Sequence, residues 1–199
     1  MKNEANKKHS LKNKRVKSFF IQAAKEIIIS EGVENLSVRK VADRAGYTFA
    51  TIYNYFKDVN ELLQEVKAEM IQDVMESIQG KATDEIFDLE DIKRGNRIYV
   101  DYYIMHPNVF HFFYSYRFNP VSTEPHKLPD FEEIWKKTYQ GFVLNGIIQE
   151  SQISVISKTI IYSLHGLLAL YFSDNGMTIE NLYYDLDSIT DHLLKERKK

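Results

Sequence analysis

Between Arg39 and Lys57 the chain gathers side chains that can grip a polyanion and read the edges of flat bases. They are the guanidinium of Arg39, the hydroxyls of Tyr47, Thr48, Thr51, Tyr53 and Tyr55, the ring of Phe49, the amide of Asn54 and the ammonium of Lys57. A helix that reads duplex DNA must bury one side on a partner while its other side presents donors and flat surface to the major groove. Ile52 and Phe56, four residues apart, supply the buried side. No set of comparable density points to catalysis. The absence of cysteine removes thiol nucleophiles, thiolate metal sites and disulfides together. His106 and His111 are the two histidines closest in sequence, and their spacing across Pro107 does not match an i, i+4 metal pair. There is no phosphate-cradling glycine loop, no Gly-x-Ser-x-Gly elbow and no HExxH. Glu132 and Glu133 suit the first turn of a helix, where its dipole favours negative charge. The expectation is a non-enzyme with no cofactor and no metal.

The charge distribution is consistent with nucleic-acid binding by the first part of the chain. The net charge of the 199 residues is −2, but residues 1–58 hold twelve Lys or Arg against six Asp or Glu, and the remainder holds fourteen against twenty-two. A +6 segment fused to a −8 body suggests that only the former meets a polyanion. With 44% apolar and 27% charged residues the composition is that of an ordinary globular protein. The basic start has no apolar stretch ending in a cleavage site, and no apolar run approaches the ~18 residues of a membrane span. A cytoplasmic protein without membrane contact is expected.

The elements that must position these side chains are helices. Val16, Phe19, Phe20, Ala23, Ala24, Ile27 and Ile28 recur at helical spacing before Gly32, a C-cap residue. Ser37 is a suitable N-cap for a short second helix ending at Gly46, with Arg39, Lys40 and Arg44 outward. A third helix is expected through FATIYNYFK, residues 49–57, so that two short helices meet at a glycine-containing turn. Asp58 and Glu61 make a capping pattern for a fourth. Further helices are expected at 89–105, 108–116, 130–149, 152–174 and 178–197, giving an all-α fold with no convincing strand.

Over residues 37–63, SVRKVADRAGYTFATIYNYFKDVNELL, the chain resembles the DNA-binding signature of the TetR family of bacterial transcriptional regulators. Ala23, Ala24 and Gly32 extend the likeness into the first helix. The resemblance implies a helix-turn-helix domain with a basic N-terminal arm in residues 1–58, and a helical effector-binding and dimerisation domain in 59–199. It implies that Thr51, Tyr53, Tyr55 and Lys57 clamp phosphates, that Thr48, Phe49, Ala50 and Asn54 lie nearer the bases, and that Arg39 reaches either. Phe49 and Val59 depart from the pattern, which more often has a small or polar residue and a phosphate-binding lysine there. The implied function is ligand-responsive repression by a homodimer on pseudo-palindromic double-stranded operator DNA, released by a hydrophobic small molecule. The competing reading is a DNA-binding regulator whose body only dimerises or binds a protein.

The aromatic density after residue 98 is ordinarily core material, yet tyrosines bring hydroxyls that need partners and can line a cavity. Joined to the resemblance, it makes Tyr99, Tyr103, Phe113, Trp135, Tyr139 and His165 the expected pocket. The last two helices are apolar around much of their circumference. Leu164, Leu168, Leu182, Leu186, Ile189 and Leu193 are therefore the expected subunit interface, and the resemblance implies a homodimer joined there by a four-helix contact.

Overall fold

A computed structural model describes residues 2–79, 88–118, 130–174 and 176–194, with side chains from Leu11 onward. Its regular elements are helices throughout: α1 Lys2–Glu31, α2 Val38–Ala45, α3 Phe49–Ile52, α4 Val59–Gln79, α5 Leu89–Met105, α6 Pro107–Tyr114, α7 Phe131–Leu144, α8 Ile153–Phe172 and α9 Ile179–Leu194. Two 3₁₀ turns precede α2 and α8. Most boundaries trace to local chemistry. Ser37 caps α2 by accepting from the Lys40 N–H at 3.2 Å, and Gly46 ends it at φ 77°, the left-handed region that glycine enters without penalty. Before α4, Asp58 accepts from the Glu61 N–H at 2.8 Å while the Glu61 carboxylate accepts from the Lys57 N–H at 2.6 Å. Pro107 occupies the first turn of α6, where its missing N–H costs nothing, and Asp130 caps α7 through the Glu133 N–H at 3.1 Å.

The chain packs as two units, one of residues 1–73 with 106–128 and the other of 74–105 with 129–199. The first is built on α1. Phe20, Ala24, Ile27 and Ile28 of α1 and Val41, Ala42, Ile52 and Phe56 of the helices that follow are all sealed from water. α6 joins this unit against α1, pinned by Asn108 Nδ2, which donates to the Ile29 carbonyl at 3.1 Å, and by His111 Nε2 on Glu34 at 2.5 Å. The basic N-terminal arm is taken into α1 from Lys2 onward.

The second unit is a bundle in which α8 packs on α5, α7 and α9, and α5 on α9. The α5–α9 seam carries a polar ladder at one-turn intervals: Lys93 on Asp191, Arg97 on Asp187 and the Tyr183 hydroxyl donating to Asp101. Asn96 adds an amide hydrogen bond to the Thr190 hydroxyl at 3.2 Å. Residues four apart on two antiparallel helices meet in this way, and the ladder fixes their register. Against the expectation from composition, residues 150–172 are long and apolar enough to cross a membrane by length and hydropathy alone. The contacts of α8 with α5, α7 and α9 account for part of that apolarity.

Candidate nucleic-acid interface and ligand pocket

In the first unit the helix-turn-helix forms around Gly46, but α3 is shorter than the sequence pattern suggests. It closes at Ile52, and Tyr53, Asn54 and Tyr55 turn back through hydrogen bonds from the Asn54 N–H to Thr51 O and from the Tyr55 N–H to Ile52 O, at 3.1 and 3.0 Å. Phe56 nevertheless reaches the core, because its N–H bonds to Ile52 O at 3.0 Å and preserves the i, i+4 placement. Thr48, Phe49, Ala50, Tyr53, Asn54 and Lys57 are exposed. Phe49 and Tyr53 each leave 52% of their surface in water, a large apolar cost for a surface with nothing to contact. The Arg39 guanidinium lies 5.8 Å from the Phe49 ring centre, so the aromatic holds the cation at the end of the exposed face. Thr48 and Thr51 share a hydroxyl hydrogen bond of 2.9 Å.

Two of the expected contact residues also support the core. Tyr47 packs its ring on Phe19 and Phe20, and Tyr55 packs on Phe20 at 5.8 Å, each half-buried. Among the outward cations of α2, Lys40 and Arg44 both reach Glu31, Arg44 at 3.1 Å. The hydrogen bond from Lys40, with the charge of Arg44 behind it, holds the Glu31 carboxyl below the usual carboxylate range. Those two cations tie α2 to α1, which leaves Arg39 as the α2 cation directed along the exposed face.

The second unit contains a pocket of about 420 Å³. Four helices line it at helical spacing: Met75 and Ile78 of α4, Asp91, Ile92, Gly95, Asn96 and Tyr99 of α5, Ile134, Trp135, Lys137, Thr138 and Tyr139 of α7, and Ser157, Ile160, Ile161 and Leu164 of α8. Tyr99 hydrogen-bonds His165 Nε2 at 2.7 Å. Burial pushes His165 down to about 4, so its ring is neutral at neutral pH. Burial pushes the Tyr139 hydroxyl up to about 12, so it keeps its proton. The Ser157 side chain eases that shift through its contact with the Tyr139 hydroxyl, although the Ser157 hydroxyl closes no hydrogen bond of ordinary geometry.

Comparison with known proteins bears on the first unit most directly. Residues 20–66 match the family described as bacterial regulatory proteins, tetR family. Those residues form a TetR-family segment. The chain is 37% identical over 78 residues to the fatty acid metabolism regulator protein of Bacillus subtilis (strain 168), a match spanning 37% of this chain and 40% of that relative. The fold of the whole chain resembles RolR in complex with resorcinol, with TM-score 0.63, 16% identity and coverage of 94% of this chain and 91% of that one. It also resembles BioQ with its double-stranded DNA operator, with TM-score 0.60, 19% identity and coverage of 89% and 97%.

The expected pocket residues divide. Tyr99, Trp135 and Tyr139 line the pocket, and His165 joins it through Tyr99. Tyr103 is fully buried with its ring against Tyr99 and Tyr102, so it packs rather than lines. Phe113 belongs to the first unit, where the Lys67 ammonium donates to its carbonyl at 3.0 Å and lies over its ring and that of Phe118. The reading by aromatic density missed Ser157, Asn96 and Gly95. A glycine inside an otherwise regular helical pattern and a serine inside an apolar run were the available signals.

The residues expected at the dimer interface differ in their exposure. Leu164, Leu168, Leu182 and Leu186 are sealed within the chain, where α8 meets its neighbours, while Ile189 and Leu193 are half-buried. The outward apolar residues of these helices are Val155, Tyr162 and Leu170 on α8 and Tyr184 on α9.

Proposed function

We propose that this chain is a ligand-responsive transcriptional repressor of a bacterial cytoplasm. Residues 1–58 bind operator DNA, and residues 59–199 form a homodimer and bind a largely apolar effector that releases the DNA. The observation that carries this reading is the presence in one chain of an exposed aromatic and amide face at Phe49, Tyr53 and Asn54 and an apolar pocket edged with hydroxyls. Tyr53 and Lys57 serve phosphates, while Asn54 and Phe49 serve base edges and thymine methyls, with Arg39 alongside. Tyr47 and Tyr55, braced on α1, hold the rim of this face, and Thr48 and Thr51 share its polar contacts.

Dimerisation fits the outer faces of α8 and α9. Tyr162 is 67% exposed and Tyr184 is 73% exposed, and Val155, Tyr162 and Leu170 fall on one stripe at intervals of about two turns. A second copy of the chain would cover this stripe and place two reading faces on half-sites about one helical turn (~34–36 Å) or multiples apart. Retention of a selected pseudo-palindromic duplex, followed by its release with a ligand that changes Trp135 emission, tests the reading. A duplex that stays bound when the pocket is filled favours a body that only dimerises.

A further inference from the structure

The pocket's polar groups specify more than an apolar occupant. Ser157 is 3% exposed, lines the cavity from α8 and stands beside the Tyr139 hydroxyl, yet its own hydroxyl closes no hydrogen bond of ordinary geometry. A buried hydroxyl of this kind is costly until something in the cavity bonds to it. Around it stand groups that are uncharged at neutral pH: the protonated Tyr139, the Tyr99–His165 pair and the Asn96 amide.

The charges at the lining are already committed. Lys137 is the only cation among the described lining residues, and it is 73% exposed and bonded to Glu133 at 2.8 Å. Asp91 accepts from the Asp88 N–H at 3.2 Å through one oxygen and from Arg94 through the other. An anion entering this cavity would therefore meet a carboxylate at its edge and no counter-charge within, and a buried unpaired charge is strongly disfavoured.

We propose that the pocket selects an uncharged, largely apolar molecule carrying a hydroxyl or carbonyl group that bonds Ser157, and rejects the matching carboxylate. This rests on the reading of the cavity as the effector site. The hydrogen bond supplies orientation and the apolar walls supply affinity. Ser157 can donate to a carbonyl or accept from an alcohol, so either group satisfies it.

The test is a titration of the full chain with decanol and with decanoate at pH 7.5, read by Trp135 emission and by calorimetry, for the wild type and for Ser157→Ala. Decanol should bind at least about tenfold more tightly than decanoate, since the carboxylate must be buried unpaired. Ser157→Ala should weaken decanol by about 3- to 10-fold, the range of one lost hydrogen bond. The same change should keep or raise the melting temperature of the free protein, because it removes a hydroxyl that was unsatisfied. Equal or tighter binding of decanoate overturns the proposed selectivity while leaving the cavity an effector site. Unchanged decanol affinity in Ser157→Ala overturns the role of that hydroxyl. If Gly95→Leu, which fills the cavity, leaves decanol binding as in the wild type, the compound binds elsewhere and the proposal fails. If neither compound nor a wide panel of neutral and charged hydrophobes binds at all, the effector reading itself falls with it.

Discussion

Gly95 is the position where stability and ligand binding should separate. It sits mid-helix in α5 and lines the pocket, and a Cβ built on it meets nothing within 4 Å. Its backbone is ordinary right-handed helix, so no left-handed conformation requires glycine. Mid-helix glycine costs about 0.5–1 kcal/mol relative to alanine, and here no clash opposes the gain. Gly95→Ala should therefore raise Tm by about 1–4 °C, at the usual 2–4 °C per kcal/mol for a domain of 150–250 residues. Gly95→Leu should keep most of that gain, because leucine is also a good helix former, while its side chain grows into the space a ligand needs. The assays are a thermal melt, a Trp135 titration and a DNA-binding titration on the same preparations. Stabilisation, loss of ligand response and unchanged operator affinity are expected together for Gly95→Leu. A lowered Tm in both variants, or wild-type ligand affinity in Gly95→Leu, would refute the account of an open cavity at α5.

Tyr53→Ala should weaken binding to every duplex, whereas Asn54→Ala should change base preference more than overall affinity, and binding should fall steeply with salt because added salt lessens the gain from releasing phosphate counterions; DNA titrations at several salt concentrations check all three. Leu186→Glu buries a charge inside the chain and should unfold it, whereas Tyr162→Glu with Tyr184→Glu should give folded monomers by sedimentation and helical circular dichroism. Monomeric wild type at micromolar concentration would contradict the outer-face interface. His165 titrates near 4 when folded against an ordinary value of 6.5, so the unfolded chain takes up a proton in that interval that the folded chain refuses. Stability present above pH 6.5 should be lost as pH falls towards 4, by about 2–3 kcal/mol after allowing for the partly exposed ring, and urea melts of His165→Gln should show a shallower fall.

The sequence was most informative where boundaries are set locally. Ser37, Gly46, Asp58 with Glu61, Pro107 and Asp130 each act on their own backbone neighbours, so their residue types foretell the element ends that the structure shows. The length of α3 was not legible, because Ile52 and Phe56 point inward equally well from a continued helix or from a turn that preserves the Ile52–Phe56 hydrogen bond. Periodicity also reveals burial without naming the partner. Leu182 and Leu186 repeat as an interface heptad would, yet the chain's own helices cover them, and the outward tyrosines at 162 and 184 look in sequence like ordinary surface residues. Aromatic density failed for Phe113 for a related reason, since two separate cores draw on one continuous aromatic run. Ser157 became informative only when its missing hydrogen bond was visible.

The most direct test of the account is the dissociation constant for a selected pseudo-palindromic duplex, measured by fluorescence anisotropy with and without a saturating ligand that changes Trp135 emission. Tight, salt-sensitive binding that weakens by about 5- to 150-fold with ligand, matched by an equal weakening of the ligand by DNA, is the predicted result. Affinity for DNA that is unchanged when the pocket is filled, or no preference for any duplex sequence, would contradict it.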